Sequence, residues 1–364
     1  MLTQRPYPFM LLCCLLLLAG CGSTGAWRHT GIVAIQPGAT VNLRVAHAVN
    51  ERLPRMTPEQ LDILLAATRR TALEHFGVHL EFSAVTETSV DALLALIPPQ
   101  VRQARMSEIY DFKSGPGDRK RLADGILRTL HERNTKLADA LAYARPYLPG
   151  TASPRSLTEL SAVLADVLLA RLEGWRALQA ADGMPVLDDT PRNEWIFWDT
   201  LGYGELPFDL VITNQLVASA EYTAVEVHTA IRGGLTTGTT TFSRSSPYGS
   251  FVFWSTFPFT DTSAQSHALR GDEDYSATQA AELSGAYLAH EIGHLLFKFG
   301  HPFGHRACVM NPASLLHYRA WQQQLDALHC RIGSLPEMRV GAIPEVYNVN
   351  WLRMARPGSG IDRQ

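Results

Sequence analysis

Residues 276–301 read SATQAAELSGAYLAHEIGHLLFKFGH, and they predict one long helix followed closely by a chain reversal. Ser276, with Gln279 three residues later, is typical of a capping box, in which two side chains satisfy backbone N–H groups at a helix start. Alanine and leucine, both strong helix formers, occupy much of the stretch that follows. We expect the helix to run to about Phe299.

The histidines of this helix are spaced for a metal ion. His290 and His294 lie four residues apart, so their side chains share one face and are about 6 Å apart along the axis. Zn²⁺ prefers a tetrahedron of ligands, and two imidazoles at this spacing supply two of them. Glu291 is too close in sequence to be an ordinary third ligand, and this spacing suits a general base beside an open metal position.

A catalytic zinc site needs a third protein ligand, and His301 is our preferred candidate. On a continuing helix it would lie about 10 Å beyond His294 along the axis, too far to reach the same ion. The chain must therefore turn back. Gly300 and Pro302, which flank the histidine, are expected to break the helix there.

Other third ligands stay open. His305, preceded by a glycine, is the alternative imidazole, and it needs a longer loop. A downstream carboxylate, Glu337 or Glu345, ranks lower because neither belongs to a recognisable helical motif.

Residues 308–312, CVMNP, have the composition of a tight turn. A zinc-binding helix followed by a turn whose methionine lies beneath the metal resembles the metzincin clan of zinc peptidases, and Met310 would be that methionine. The resemblance implies peptide-bond hydrolysis by a zinc-dependent endopeptidase with Glu291 as its general base. It implies the following zinc ligands: His290, His294 and His301.

The match to the clan is partial and covers roughly residues 31–85 and 208–312. The clan has a glycine three positions, and a histidine six positions, after the second ligand. Phe297 and Gly300 occupy those places here, and the histidine comes one residue later. We therefore expect a loop one residue longer, or His305 as the ligand. Tyr318 is a weak candidate for an oxyanion donor.

Outside these motifs, the pattern predicts an α+β fold: a metzincin-like mixed twisted sheet with the long zinc-binding helix and a helical insertion. A second capped helix is expected to begin at Thr57 and end at Gly77. The Thr-rich stretch 233–243 is expected at a sheet edge, where an extended peptide could pair with it. Strands are predicted at 31–35, 78–85, 208–213, 233–243 and 251–257.

The N-terminus predicts an export signal. The apolar run 9–19 is shorter than the roughly 20 residues of a bilayer-spanning helix, and it follows the single basic residue Arg5. It ends in LAGC, which resembles the bacterial lipobox and would make Cys21 the lipidated residue; an ordinary signal peptide is the alternative. We expect a protein of the bacterial envelope, anchored by lipid in the outer membrane and facing the periplasm.

The expected divisions are a lipoprotein signal peptide at 1–20, a lipidated tether at 21–30, a metallopeptidase domain at 31–312 with a helical insertion at about 88–190, and a C-terminal subdomain at 313–364. In an oxidising compartment Cys308 and Cys330 are a candidate disulfide.

Composition narrows the functional classes. The chain has 364 residues with 32 Lys and Arg against 35 Asp and Glu, a net charge of −3, and no basic run that would bind a phosphate backbone. We therefore expect a peptide or protein substrate and no nucleic acid. The alternatives are an envelope lipoprotein that binds zinc without catalysis and a hydrolase of cell-wall peptides.

Overall fold

The computed structural model describes residues 35–109, 117–132, 135–188, 190–222 and 225–343. Its mixture of helices with a mixed sheet confirms the α+β class. The helices within these residues are α1 (Pro58–Phe76), α2 (Val90–Leu94), α3 (Pro99–Met106), α4 (Gly117–Glu132), α5 (Leu137–Ala144), α6 (Leu157–Arg176), α7 (Trp195–Asp199), α8 (Val227–Ile231), α9 (Phe257–Thr260), α10 (Ala264–Leu269), α11 (Ala277–Phe297) and α12 (Tyr318–Gln324). The strands are β1 (Thr40–Leu43), β2 (Val45–Val49), β3 (His79–Phe82), β4 (Thr86–Ser89), β5 (Leu210–Thr213), β6 (Gly238–Phe242) and β7 (Ser250–Ser255).

A five-stranded mixed sheet forms the centre, in the order β4-β2-β5-β7-β6. The first four of these strands are parallel, and β6 is antiparallel to β7. Strands β2, β5 and β7 are buried at every residue, as expected for parallel strands covered on both faces. A separate two-stranded parallel sheet joins β1 to β3.

Alternate residues of the central strands enter two different cores. Ile212 and Trp254 belong to the larger core, which α1 and α11 cover. Val211 and Phe253 point to the opposite face, where α2 and α7 pack. The sheet therefore lies between two layers of helices, and α11 packs against one of its faces.

Helices α1 and α11 approach each other unusually closely. A Cβ at Gly285 of α11 would lie 2.0 Å from the Leu64 carbonyl oxygen of α1, so only glycine fits there. At this point the Thr68 hydroxyl donates a hydrogen bond to the Gly285 carbonyl at 3.0 Å. Helix α1 itself begins with the expected capping box at Thr57 and ends at Gly77 in a left-handed conformation, φ 68°.

The described residues of the stretch expected to be a helical insertion form five α-helices, α2 to α6. Helix α6 packs on α4 and on the short α8, which precedes β6. The helical part ends at Arg176, before 190, and the chain then turns at Gly183 in a left-handed conformation, φ 77°. The short helix α5 also contacts α8, so two helices of the insertion pack on α8.

Several strand predictions need correction. The strand predicted at 31–35 lies outside the described residues except for Ile35, which is not in a strand. Strands β1, β2 and β4 were not predicted. Every residue of β2 is buried, so it shows no alternation, and β4 has the fully polar sequence TETS, so it gives no apolar signal.

The remaining predicted strands are shorter than expected. The stretch 78–85 forms β3 over four residues with alternating exposure, and 208–213 forms β5. Strand β7 ends at Ser255, because Phe257 and the proline after it begin α9. The Thr-rich stretch supplies β6, which does lie at the sheet edge. Within the described ranges, no helix has the length and apolar character needed to cross a membrane.

Candidate metal centre

Three imidazoles converge at the C-terminal end of α11. The Nε2 atom of His290 lies 3.1 Å from that of His294 and 3.1 Å from that of His301, and the last two are 2.9 Å apart. His290 and His294 are buried, and His301 is half-buried. In the part of the chain that the structure describes, these three histidines are the group of His, Cys, Asp or Glu side chains whose potential ligand atoms all lie within 4.8 Å of one another.

The donor atoms fit a zinc ion. Nitrogen ligands at about 2.1 Å in a tetrahedron lie roughly 3.4 Å apart, close to the observed separations. The Nδ1 atoms of His290 and His294 lie 3.0 Å from the Val309 carbonyl oxygen and 2.6 Å from the Phe299 carbonyl oxygen. A carbonyl oxygen only accepts, so both Nδ1 atoms carry the proton and both Nε2 lone pairs face the centre of the cluster.

The chain reverses one residue after α11 ends. Lys298 takes a left-handed conformation, φ 56°, and its N–H donates to the His294 carbonyl. This corrects the expectation that Gly300 and Pro302 break the helix. Gly300 instead packs against Glu337. Its N–H donates to the Glu337 carbonyl at 2.7 Å, and the Glu337 side chain lies against it.

His301, not His305, joins the two helix histidines. His305 lies beside His329, with 3.3 Å between Nδ1 and Nε2. Glu337 belongs to a short 3-10 turn, Pro336–Met338, and is not a member of the metal-type cluster. Glu345 lies outside the described residues. The loop after α11 is thus long enough for His301 to fold back onto its own helix.

The turn that contains Met310 packs against α11 and contacts the His290 ring. The Asn311 N–H donates to the Cys308 carbonyl at 2.9 Å and closes the turn. Met310 is fully buried, and its Sδ would lie 2.3 Å from a Cβ placed on Gly293, the helix residue directly before His294. Since Val309 also orients the His290 ring, this turn contacts the cluster through both a side chain and a carbonyl.

Glu291 is held by the edge strand. Its Oε2 accepts a hydrogen bond from the Thr240 hydroxyl of β6 at 2.8 Å. Burial raises the pKa of the Glu291 carboxyl to about 7, and the Thr240 hydrogen bond partly opposes this change. Burial, followed by the neighbouring His294, lowers the pKa of His290 well below its ordinary value, which keeps that imidazole neutral.

Tyr318 lies near the cluster, but its hydroxyl is already engaged. Its ring is buried between Phe259, at 4.2 Å, and Tyr287, at 4.9 Å between centroids. Its hydroxyl lies 2.7 Å from that of Thr237, which directly precedes β6. The Tyr318 hydroxyl is therefore engaged with Thr237, and its role as an oxyanion donor stays a prediction.

Sequence reasoning missed a group of polar residues around α8. His228, which looked isolated in sequence, packs edge-on against His301 at 5.8 Å between ring centroids. Its Nδ1 lies 3.2 Å from an Oε2 of Glu226. Arg232 follows this helix and is buried. In the sequence, residues 226–232 (EVHTAIR) contain three ionisable side chains close together. Nothing in that stretch predicts contact with α11.

The two remaining cysteines form a disulfide. Cys308 and Cys330 are bonded, with 5.1 Å between their Cα atoms, and the loop they close contains both the Met310 turn and α12. The signal peptide, Cys21 and the tether lie outside the described residues.

Comparison with protein-family models, with curated proteins and with solved structures finds no match to this chain. The chemistry of the site must therefore be argued from its own residues. It consists of three convergent imidazole nitrogens, a buried carboxylate beside them, and the Met310 turn packed against α11.

Proposed function

We propose that this protein is a zinc-dependent endopeptidase of metzincin-like type, anchored in the bacterial envelope through Cys21. The observation that carries the proposal is the convergence of three Nε2 atoms within 3.1 Å, with a buried Glu291 next to the first of them. A structural zinc site has no need of a carboxylate at that position, whereas a hydrolytic site does.

The three histidines would hold the ion. When bound, zinc supplies Lewis-acid polarisation of the scissile carbonyl and makes water more acidic. Glu291 accepts the proton of the attacking water and transfers it to the departing amine. Thr240 keeps the Glu291 carboxylate in one orientation, and the Val309 and Phe299 carbonyls keep two imidazoles in one tautomer.

We expect an extended substrate to pair with the outer edge of β6 at its half-exposed Gly238 end, because Gly202 packs against the Phe242 carbonyl at the other end. The Ser255 N–H donates to the Thr237 carbonyl and the Ser243 N–H donates to the Gly249 carbonyl, so odd-numbered residues of this strand face β7. In an antiparallel ladder the alternate residues, Gly238 and Thr240 among them, turn their backbone groups outward. Gly238 adjoins the Glu291 side chain, so a peptide on this edge would pass the centre.

Zinc content tests the metal site. The purified protein should bind about one zinc per chain. His290→Ala and His301→Ala should each lower this content to near zero, because two imidazoles hold zinc far more weakly than three. His305→Ala is the matched control and should keep the full content. Zinc retained by His301→Ala but lost by His305→Ala would reverse the assignment of the third ligand.

Peptide hydrolysis tests the general base. Glu291→Gln should keep the zinc and the fold and lower kcat at least about 100-fold on a peptide library, because a positioned base contributes roughly 10²- to 10⁴-fold. Glu282→Gln is the matched control, since Glu282 is an exposed glutamate on the same helix. Zinc binding without any hydrolysis by the wild-type protein would leave the non-catalytic alternative.

A further inference from the structure

Arg232 is a buried cation that forms no direct ion pair within the described residues, and the Glu291 carboxylate is the anion that interacts with it electrostatically. It is 3% exposed, and one of its Nη atoms donates to the Ala313 carbonyl at 2.7 Å. Its Nε has no hydrogen-bond partner. Within the described residues no carboxylate forms an ion pair with it. Burying a charge without a direct ion pair is costly, so the unsatisfied Nε and the absence of an adjacent carboxylate favour binding of an anion at this guanidinium.

A second unpartnered donor faces the same region. Tyr143, on α5 of the helical insertion, has a buried hydroxyl without a hydrogen-bond partner among the described residues. The Tyr143 side chain and the Arg232 guanidinium interact electrostatically. The Tyr143 ring packs against Phe303 at 5.6 Å between centroids, and Phe303 packs at the same distance against His301.

These two donors adjoin the imidazole cluster through Ala313. The Ala313 carbonyl accepts from Arg232, and the Ala313 N–H donates to the Tyr287 hydroxyl at 3.3 Å. The Tyr287 ring stacks on the His290 ring with 5.4 Å between centroids. One aromatic ring therefore separates the Arg232 environment from a histidine of the cluster.

We propose that Arg232 and Tyr143 bind a carboxylate of the substrate close to the bond that is cleaved. This inference rests on the proposed peptidase function and names a specificity determinant for it. A guanidinium presents several N–H donors in one plane, which matches a planar carboxylate, and a phenol hydroxyl adds one further donor. A peptide can present this group as its C-terminal carboxylate or as an acidic side chain, and the test below distinguishes the two.

Two matched peptide pairs identify the carboxylate. N-acetyl-hexa-alanine is compared as the free acid and as the carboxamide, and a second carboxamide pair carries one glutamate or one glutamine at the penultimate position. We expect kcat/KM to favour the carboxylate member of one pair by roughly 10- to 100-fold, the range for hydrogen bonds to a charged group. The preferred pair names the source. Ratios near 1 in both pairs would overturn the proposal.

Variants connect that preference to the two side chains. Arg232→Met should bring the ratio to about 1, and Arg232→Lys should give an intermediate ratio because lysine keeps the charge but not the planar fork. Tyr143→Phe keeps the ring packing and should lower the ratio about threefold or more. Tyr248→Phe is the control, since that hydroxyl donates to the Asn42 carbonyl elsewhere. A wild-type ratio in folded Arg232→Met or in Arg232→Lys would overturn the assignment.

Calorimetry separates this proposal from the peptidase proposal. The acid and the carboxamide of each pair are titrated into zinc-loaded Glu291→Gln and into the same protein with Arg232→Lys added. If the wild type cleaves no peptide, tighter binding of the carboxylate member that weakens in the lysine variant still supports the anchor and rejects the peptidase. Equal binding of both members, or no binding, overturns the anchor. Hydrolysis without carboxylate preference keeps the peptidase and rejects the anchor.

Discussion

At Gly293, helix α11 is in close contact with the turn that contains Met310. A Cβ there would lie 2.3 Å from the Met310 Sδ and 2.9 Å from the Phe76 Cζ. An alanine in a helix ordinarily stabilises it by roughly 1 kcal/mol relative to glycine. Here an added Cβ would overlap the buried side chains of Met310 and Phe76, which opposes that stabilisation. Glycine is therefore required by the lack of space and not by its backbone conformation.

We expect Gly293→Ala to lower the free energy of unfolding by about 1–3 kcal/mol, the usual cost of overpacking. Zinc affinity should fall as well, because Met310 would be pushed out of the turn that orients His290. Chemical denaturation and competitive zinc titration measure the two effects. In a double-mutant cycle, Met310→Ala should recover part of the loss by removing the sulfur; strict additivity of the two substitutions would contradict the contact.

At the residue scale, sequence spacing was sufficient for His290 and His294 because both lie on one helix. His301 could be preferred over His305 on loop length, and the structure brings His301 to the cluster. Arg232 and Tyr143 could not have been found in this way. They lie 45 and 134 positions before the first residue of α11, and packing of the insertion on α8 brings their segments together.

Among the elements, the segment between Cys308 and Cys330 is the one most dependent on a covalent link. This segment contains the Met310 turn and α12, and the two bonded cysteines lie 22 positions apart in sequence. A disulfide that closes a loop of this length stabilises a protein by about 3 kcal/mol, mainly by restricting the unfolded chain.

We expect Cys330→Ala to lower the free energy of unfolding by about this amount, measured by urea denaturation without reductant. A reductant should destabilise the wild type to a similar extent and have no effect on the variant, which makes it an internal control. A wild type whose stability is insensitive to reductant under denaturing conditions would contradict a stabilising disulfide.

Helices with caps were predictable, and irregular ends were not. Ser276 with Gln279 and Thr57 with Gln60 both form the expected capping boxes. The end of α11 was misplaced because a lysine, Lys298, adopts a left-handed conformation that normally favours glycine. Its ammonium donates to the Leu295 carbonyl of its own helix and, in tertiary contacts that no local pattern reveals, to the Tyr248 carbonyl and the Ser250 hydroxyl.

For the whole molecule, the dependence of stability on pH should contain a contribution from a buried carboxyl, Glu221, which is not a member of the histidine cluster. Burial raises the pKa of Glu221 from 4.5 to about 7, and a hydrogen bond from Ser219 only partly opposes this. Between these two values the folded state holds a proton that the unfolded state has lost. Stability therefore falls as pH rises from 4.5 to 7 and stays lower above 7.

We expect Glu221→Gln to remove this loss. The variant should exceed the wild type in free energy of unfolding by up to about 3 kcal/mol at pH 8 and differ little at pH 5, since one pKa unit corresponds to about 1.4 kcal/mol. Urea denaturation at both pH values measures this, with the exposed Glu282→Gln as control. A stability difference that does not change with pH would contradict a buried, protonated Glu221.

The paired carbonyls of Val309 and Phe299 have a consequence for how the metal would be acquired. Because they already fix two rings by hydrogen bonds at 3.0 and 2.6 Å, loading with zinc would need little ordering of the polypeptide. The entropic penalty of capture is then small, unlike in zinc fingers, whose metal-free chains are unfolded. Chelation should accordingly leave the far-UV circular dichroism of this protein nearly unchanged.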